Sequence, residues 1–142
     1  MLTVDASIWV AAEDESEPFH TDCREFLLRA MKAGAIFHQP FLSVIEVSAA
    51  IARKTRDAGL GMRSGQKMLA TFGLVLHPLG RNASRDAARL ATQLFLRGAD
   101  AVYVATAEHT DSILVTLDVE LKNRAAAVLP IHTPAEWLTL NP

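Results

Sequence analysis

The sequence predicts a parallel α/β domain, a sheet covered by helices on both faces. Strand-like and helix-like segments alternate along all 142 residues, the order that parallel strands with crossover helices require. Half of the residues are hydrophobic and only 6% are aromatic, so the core is expected to be Leu, Val, Ile and Ala packed between layers. Four acids, Asp5, Glu46, Asp100 and Asp118, each close an apolar strand-like run or stand early in an apolar helix. Such a sheet gathers its ligand-binding residues at those places. The length suits one domain, residues 1–142.

Leu2 to Asp5 reads as a short buried strand, and Ala6 to Ala12 as one or two helical turns with Ser7 as a candidate N-cap. Glu13 to Pro18 is a charged break whose four carboxylates read as a solvated face. Phe19, Cys23, Phe26, Leu27 and Ala30 recur at helical spacing through Ala33, and Gly34 stops that helix. Ala35 to His38 is a second strand. After Pro40 a long helix runs from Phe41 to about Arg56, entered near Ser43. Its end carries Arg53, Lys54 and Arg56, cations that a helix C-terminus favours. Gly59, Gly61 and Gly65 mark a loop, then a short helix through Phe72.

Gly73 to His77 is a third strand. Asn82 to Leu96 is a helix with Ala83, Ala87, Leu90, Ala91 and Leu94 on one face, ended by Gly98. Asp100 opens a helix through His109, Ser112 to Leu117 is a fourth strand, and Val119 to Ala126 a short helix. Ala127 to Ile131 is a final strand, and Pro134 to Leu140 a closing helical turn. There is no repeat, linker or low-complexity tract.

Bulk properties narrow the function. A formal net charge of −2 argues against a dominantly electrostatic nucleic-acid binder, though not against a nuclease with a local basic patch. The single cysteine, Cys23, excludes an internal disulfide framework and fits a reducing cytoplasm; its setting is that of a buried structural thiol. Asp5 interrupts any signal-like apolar start, and no uncharged run approaches the roughly 18 residues of a membrane helix. The five histidines lack the i, i+4 pairing of a zinc helix.

The four acids carry the chemistry. An ionised carboxylate in apolar surroundings needs a cation, a proton or a hydrogen-bond donor. No Lys or Arg lies next to them in sequence as an obvious partner. Hard divalent cations prefer oxygen ligands and would balance the group, which leads to a metal-dependent phosphodiesterase. Asp5, Asp100 and Asp118 could each be a plain helix N-cap. Glu46, alone among Phe41, Leu42, Val44, Ile45, Val47 and Ile51, has no capping role. Thr116 and Ser7 stand two residues from Asp118 and Asp5, placed to orient a carboxylate or a water. Arg53, Lys54, Arg85, Arg89, Arg97 and Lys122 are the candidate phosphate contacts.

The segments Val-Asp-Ala-Ser-Ile (4–8), Ser-Val-Ile-Glu-Val (43–47), Arg-Gly-Ala-Asp-Ala-Val-Tyr-Val-Ala-Thr-Ala (97–107) and Val-Thr-Leu-Asp (115–118) resemble the motifs of PIN-domain ribonucleases. The closest likeness is to VapC-type toxins of toxin–antitoxin pairs, and it spans residues 4 to about 125. The resemblance implies a three-layer α/β/α sandwich with a parallel sheet and a Mg2+ or Mn2+ site. Its ligands would be Asp5, Glu46, Asp100 and Asp118, with Thr116 as the supporting hydroxyl. It further implies cleavage of RNA such as transfer RNA, inhibition by a small antitoxin, and a homodimer. Phe26, Met31, Phe41 and Ile51 are surplus apolar residues expected to serve those partners. Two positions depart from the pattern: Trp9, expected to reshape the groove, and Val119, where a basic residue often stands.

Two other classes compete. A receiver-like phosphoacceptor domain expects paired acids after the first strand and a Lys after the last, and neither is present. A binding or regulatory protein that kept the fold and lost catalysis is opposed by the intact four acids.

Overall fold

The computed structural model describes residues 1–142. Strands β1 (Leu2–Val4), β2 (Phe37–Pro40), β3 (Leu74–His77), β4 (Ile113–Val115) and β5 (Ile131–His132) form one all-parallel sheet in the order β3-β2-β1-β4-β5. Eight helices accompany them: α1 (Ala6–Glu13), α2 (His20–Lys32), α3 (Leu42–Thr55), α4 (Ala58–Leu69), α5 (Arg81–Leu94), α6 (Gly98–Thr110), α7 (Val119–Ala125) and α8 (Pro134–Leu140). None is long and apolar enough to cross a membrane.

Successive strand residues face opposite sides, and β2 shows both layers. Phe37 meets Trp9 of α1 edge-on at 5.8 Å, whereas Pro40 and His77 border the same cavity as Val102 and Thr106 of α6. Helices α5 and α6 therefore pack on one face, and α1, α2, α3, α4 and α8 on the other. The result is the expected α/β/α sandwich. Its core is one cluster of 28 buried hydrophobic residues centred on Val4, Phe37, Leu114 and Val115. Helix α6 is buried continuously through its middle, from Ala101 to Ala107, which fixes the orientation of Asp100 near its start.

The order of strands decides where a ligand can sit. From β1 the chain proceeds outward to β2 and β3, then crosses back to β4 on the other side of β1. That reversal leaves a crevice beyond the carboxyl ends of β1 and β4. Asp5 follows β1 directly, Asp118 lies three residues past β4, and the Asp5 amide donates to the Val115 carbonyl at 3.0 Å.

Four element readings need correction. The glycine-rich stretch is not a loop: Gly59, Gly61 and Gly65 all lie inside α4, capped by Asp57, whose carboxylate accepts from the Leu60 amide at 2.9 Å. Glycine is used there because α3 and α4 approach closely. A Cβ on Gly61 would come within 2.5 Å of the Ser48 carbonyl oxygen. We expect Gly61→Ala to destabilise the protein by about 1–3 kcal/mol through this overpacking, although alanine favours helix. Urea denaturation checks this, and an unchanged midpoint would contradict the close contact.

Gly98 does not end α5; Phe95 does, in a left-handed conformation with φ of 54°, and Gly98 opens α6. The second strand runs from Phe37 to Pro40 rather than 35 to 38, because pairing with both neighbours, Leu2 of β1 and Leu74 of β3, begins at Phe37. Pro40 is tolerated at the strand's last position, where its lack of an N–H breaks little of the ladder. The last strand is only Ile131–His132, with Ala127 to Pro130 in a turn and a loop.

The surplus apolar surface shrinks in three dimensions. Phe26 and Ile51 are buried in the monomer, and Met31 packs against the core. Phe41 remains half exposed, with Phe19 and Ile45 also presented to solvent. Cys23 is fully buried, and burial pushes its thiol up to about 12, so it is an inert core residue.

Candidate functional site

Asp5, Glu46, Asp100 and Asp118 line one open recess of about 750 Å3 at the carboxyl edge of the sheet, together with Ser7, Arg53 and Arg97. Four separate elements deliver them. Asp5 and Asp118 are the N-caps of α1 and α7, accepting from the amides of Ser7 at 3.1 Å and Leu121 at 3.0 Å. The capping role is thus real, and it aims both carboxylates into the recess rather than competing with a site. Ser7, expected as a cap, is instead the residue that bonds the cap.

Thr116 ties the two together. Its hydroxyl donates to Asp5 Oδ2 at 2.7 Å and accepts from the Asp118 amide at 3.0 Å. Fully buried at the end of β4, Thr116 holds Asp5 in one rotamer and sets the turn that carries Asp118.

Glu46 sits one turn into α3 and is not a stray exposed acid. Tyr103 of α6 donates its hydroxyl to Glu46 Oε2 at 2.6 Å, leaving Oε1 without a side-chain partner. The buried Tyr103 hydroxyl is held well above its ordinary pKa by desolvation and by the Glu46 carboxylate, so it stays a proton donor. Sequence reasoning passed over this residue. The available signal was its place as the chain's one tyrosine, three residues after Asp100 and so on the same helix face.

Arg97 corrects the expectation that no cation lies near the acids in sequence. It stands three residues before Asp100, donating from Nε to Asp100 Oδ2 at 2.8 Å and from a terminal nitrogen to Asp118 Oδ2 at 2.5 Å. Of the six cations considered as phosphate contacts, only Arg97 and Arg53 line the recess. Lys54 is paired with Asp14 and Glu17, Arg89 with Glu108, and Lys122 with Glu136. The acidic break before α2 is accounted for in the same way, since Glu13 meets Lys67 and Ser64.

Trp9 does not reshape the recess, because it is buried against Phe37. Val119 is exposed at the start of α7 and does not line it. Two of the histidines do meet: His38 Nδ1 and His77 Nε2 are 2.9 Å apart on neighbouring strands.

Burial raises the pKa of Asp5 and of Glu46, and the neighbouring carboxylates push the same way. A carboxyl whose folded pKa is raised contributes stability below its unfolded pKa and loses it as pH rises through the folded value. The metal-free protein should therefore weaken as pH rises from about 4 through the raised values. Glu46→Gln should flatten this loss. In EDTA the variant should be more stable than wild type at pH 8 and similar to it at pH 4. Urea denaturation at the two pH values decides it, and a variant less stable at pH 8 would contradict the burial argument.

The donor set suits a hard, hydrated cation. All four acids offer oxygen only, and magnesium keeps several waters while taking one or two carboxylates directly. No three His, Cys, Asp or Glu side chains are drawn together tightly enough to ring an ion by themselves. Ser7 Oγ is buried beside the recess, next to the Asp5 carboxylate.

Comparison with known proteins identifies the fold independently. The sequence profile of the PIN domain matches residues 2–127. No curated protein matches the sequence significantly. Among solved structures, PAE2754 from Pyrobaculum aerophilum is similar with a TM-score of 0.69 and 22% identity, covering 98% of this chain and 87% of that one. VapBC2 from Rickettsia felis, bound to a DNA fragment from its promoter, gives a TM-score of 0.71 at 14% identity over 93% and 97% of the two chains. VapC20 of Mycobacterium tuberculosis, a sarcin-ricin loop cleaving toxin, gives 0.71 at 13% identity over 91% and 96%. With the profile covering nearly the whole sheet and all four acids, the chain belongs to the PIN domain family.

Proposed function

We propose that this protein is a metal-dependent endoribonuclease, the toxin of a toxin–antitoxin pair, acting with Mg2+ or Mn2+ on RNA, with transfer RNA as one candidate. The observation that carries this reading is the convergence of four acids from four elements on one recess. Membership of the PIN family and likeness to a sarcin-ricin loop cleaving toxin support it.

A divalent ion, when bound, lowers the pKa of a water and offsets charge on the phosphoryl oxygens. The protein's own residues do the rest. Asp5 and Asp100 serve as direct ligands, and Glu46 and Asp118 as ligands directly or through water. Thr116 fixes Asp5, and Tyr103 fixes one oxygen of Glu46. The other Glu46 oxygen is then the acceptor for the proton of the attacking water, a role that a raised pKa favours. Arg53, which also lines the recess, is the cation available to meet the incoming phosphate.

Cleavage of RNA with Mn2+ or Mg2+, and its loss in EDTA, tests the reading. The products should carry 5′-phosphate and 3′-hydroxyl ends. Products ending in 2′,3′-cyclic phosphate, or cutting that survives EDTA, would overturn it.

The partners follow the same reading. A small antitoxin is proposed because similar structures are VapBC assemblies. A homodimer is proposed from the exposed Phe41 and Ile45, and light scattering that shows a strict monomer would remove that claim. A cytoplasmic location belongs with these roles.

A further inference from the structure

We infer that Arg97 is a tethered counter-ion: it holds Asp100 and Asp118 in the metal-free protein and is displaced when a divalent cation binds. This rests on the metal-site reading above. Asp118 spends Oδ1 on the Leu121 amide as a helix cap, so Oδ2 is the oxygen left for the recess, and Arg97 takes it. The same guanidinium takes Asp100 Oδ2. Asp100 keeps Oδ1 free, but an ion that draws on Asp118 Oδ2 contends with the guanidinium for that oxygen. Two cations cannot share it without strong mutual repulsion at such short range.

Exposure shows which party moves. The Arg97 side chain is 73% exposed, whereas Asp100 and Asp118 are 16% and 27% exposed and fixed at the starts of α6 and α7. Arg97 is also the N-cap residue of α6, so its arm returns to the acids whenever the ion leaves. Arg53 provides a contrast. It lines the same recess but has no ion-pair partner, so it adds positive potential without blocking an oxygen. Exposed ion pairs are individually weak, so Arg97 tunes metal affinity rather than abolishing it.

The test is calorimetric titration of EDTA-stripped, RNA-free protein with Mn2+, comparing wild type, Arg97→Gln and Arg53→Gln. Arg97→Gln should bind Mn2+ about two- to tenfold more tightly, the scale of one or two exposed ion pairs, and Arg53→Gln should change less. Equal affinity in wild type and Arg97→Gln, or an equal gain in both variants, would overturn displacement while leaving the metal site standing. Absence of Mn2+ binding in all three proteins would remove the metal site and this inference together. The wild type provides a second readout that needs no variant. On titration with diamagnetic Mg2+, the Arg97 Nε–H signal in a nitrogen–proton correlation spectrum should move towards that of free arginine. A signal that stays in place while Mg2+ binds would also overturn it.

Discussion

Asp100→Asn should reduce RNA cleavage by on the order of a hundredfold or more while leaving the fold intact. The substitution keeps side-chain volume and removes one negative charge from the recess. Losing about 3 kcal/mol of transition-state charge stabilisation corresponds to a factor of that size. Stability should change little, because the only polar partner lost is the exposed guanidinium of Arg97, and such pairs contribute at most about 1 kcal/mol. Single-turnover cleavage of end-labelled RNA measures the first effect and circular dichroism the second. A variant that cuts at the wild-type rate would show that Asp100 is only a helix-start residue.

The largest effect on stability is expected at Phe26→Ala. Phe26 is fully buried on α2 and packs edge-on against Trp137 of α8, with ring centroids 5.0 Å apart at 79°. Truncation removes both the apolar burial and the aromatic contact and leaves a cavity between two helices, a loss of about 3–5 kcal/mol. Domains of this kind have about 5–15 kcal/mol in total, so the variant should sit near the edge of folding. Equilibrium urea denaturation reads this directly, with Phe26→Leu expected to lose less. A loss below about 1 kcal/mol would mean that α8 does not close over α2 as described.

This residue also marks where sequence reading of the surface failed. Phe26 and Ile51 looked like surplus for a partner because helical spacing shows which face is apolar, not how much of that face other helices will cover. The covering element for Phe26 comes from more than 100 positions away, in α8.

The same contrast runs through the site. Positions of Asp5, Asp100 and Asp118 were legible because they depend on local order, a carboxylate at a strand's end or in a helix's first turn. Glu46 was legible because its apolar surroundings gave it no other purpose. What orients these acids was less legible. Tyr103 reaches Glu46 across 57 positions, and Arg97 reaches Asp118 across 21, contacts set by side-chain rotamers that no spacing encodes. Thr116 was the exception, since its two-residue distance from Asp118 placed it on the same turn. The glycines misled for a related reason. In isolation three glycines suggest a loop, yet Gly61 and Gly65 are the residues that let α4 lie against α3.

The central claim, that the four acids form a hydrated divalent-cation site, is tested most directly by anomalous diffraction from crystals grown with Mn2+. The account predicts a peak in the recess, in contact with Asp5 or Asp100 oxygens at roughly 2.0–2.2 Å, with Glu46 and Asp118 bound directly or through water and Arg97 turned away. A structure at full Mn2+ saturation with no peak there, or with the ion held at His38 and His77 instead, would contradict it.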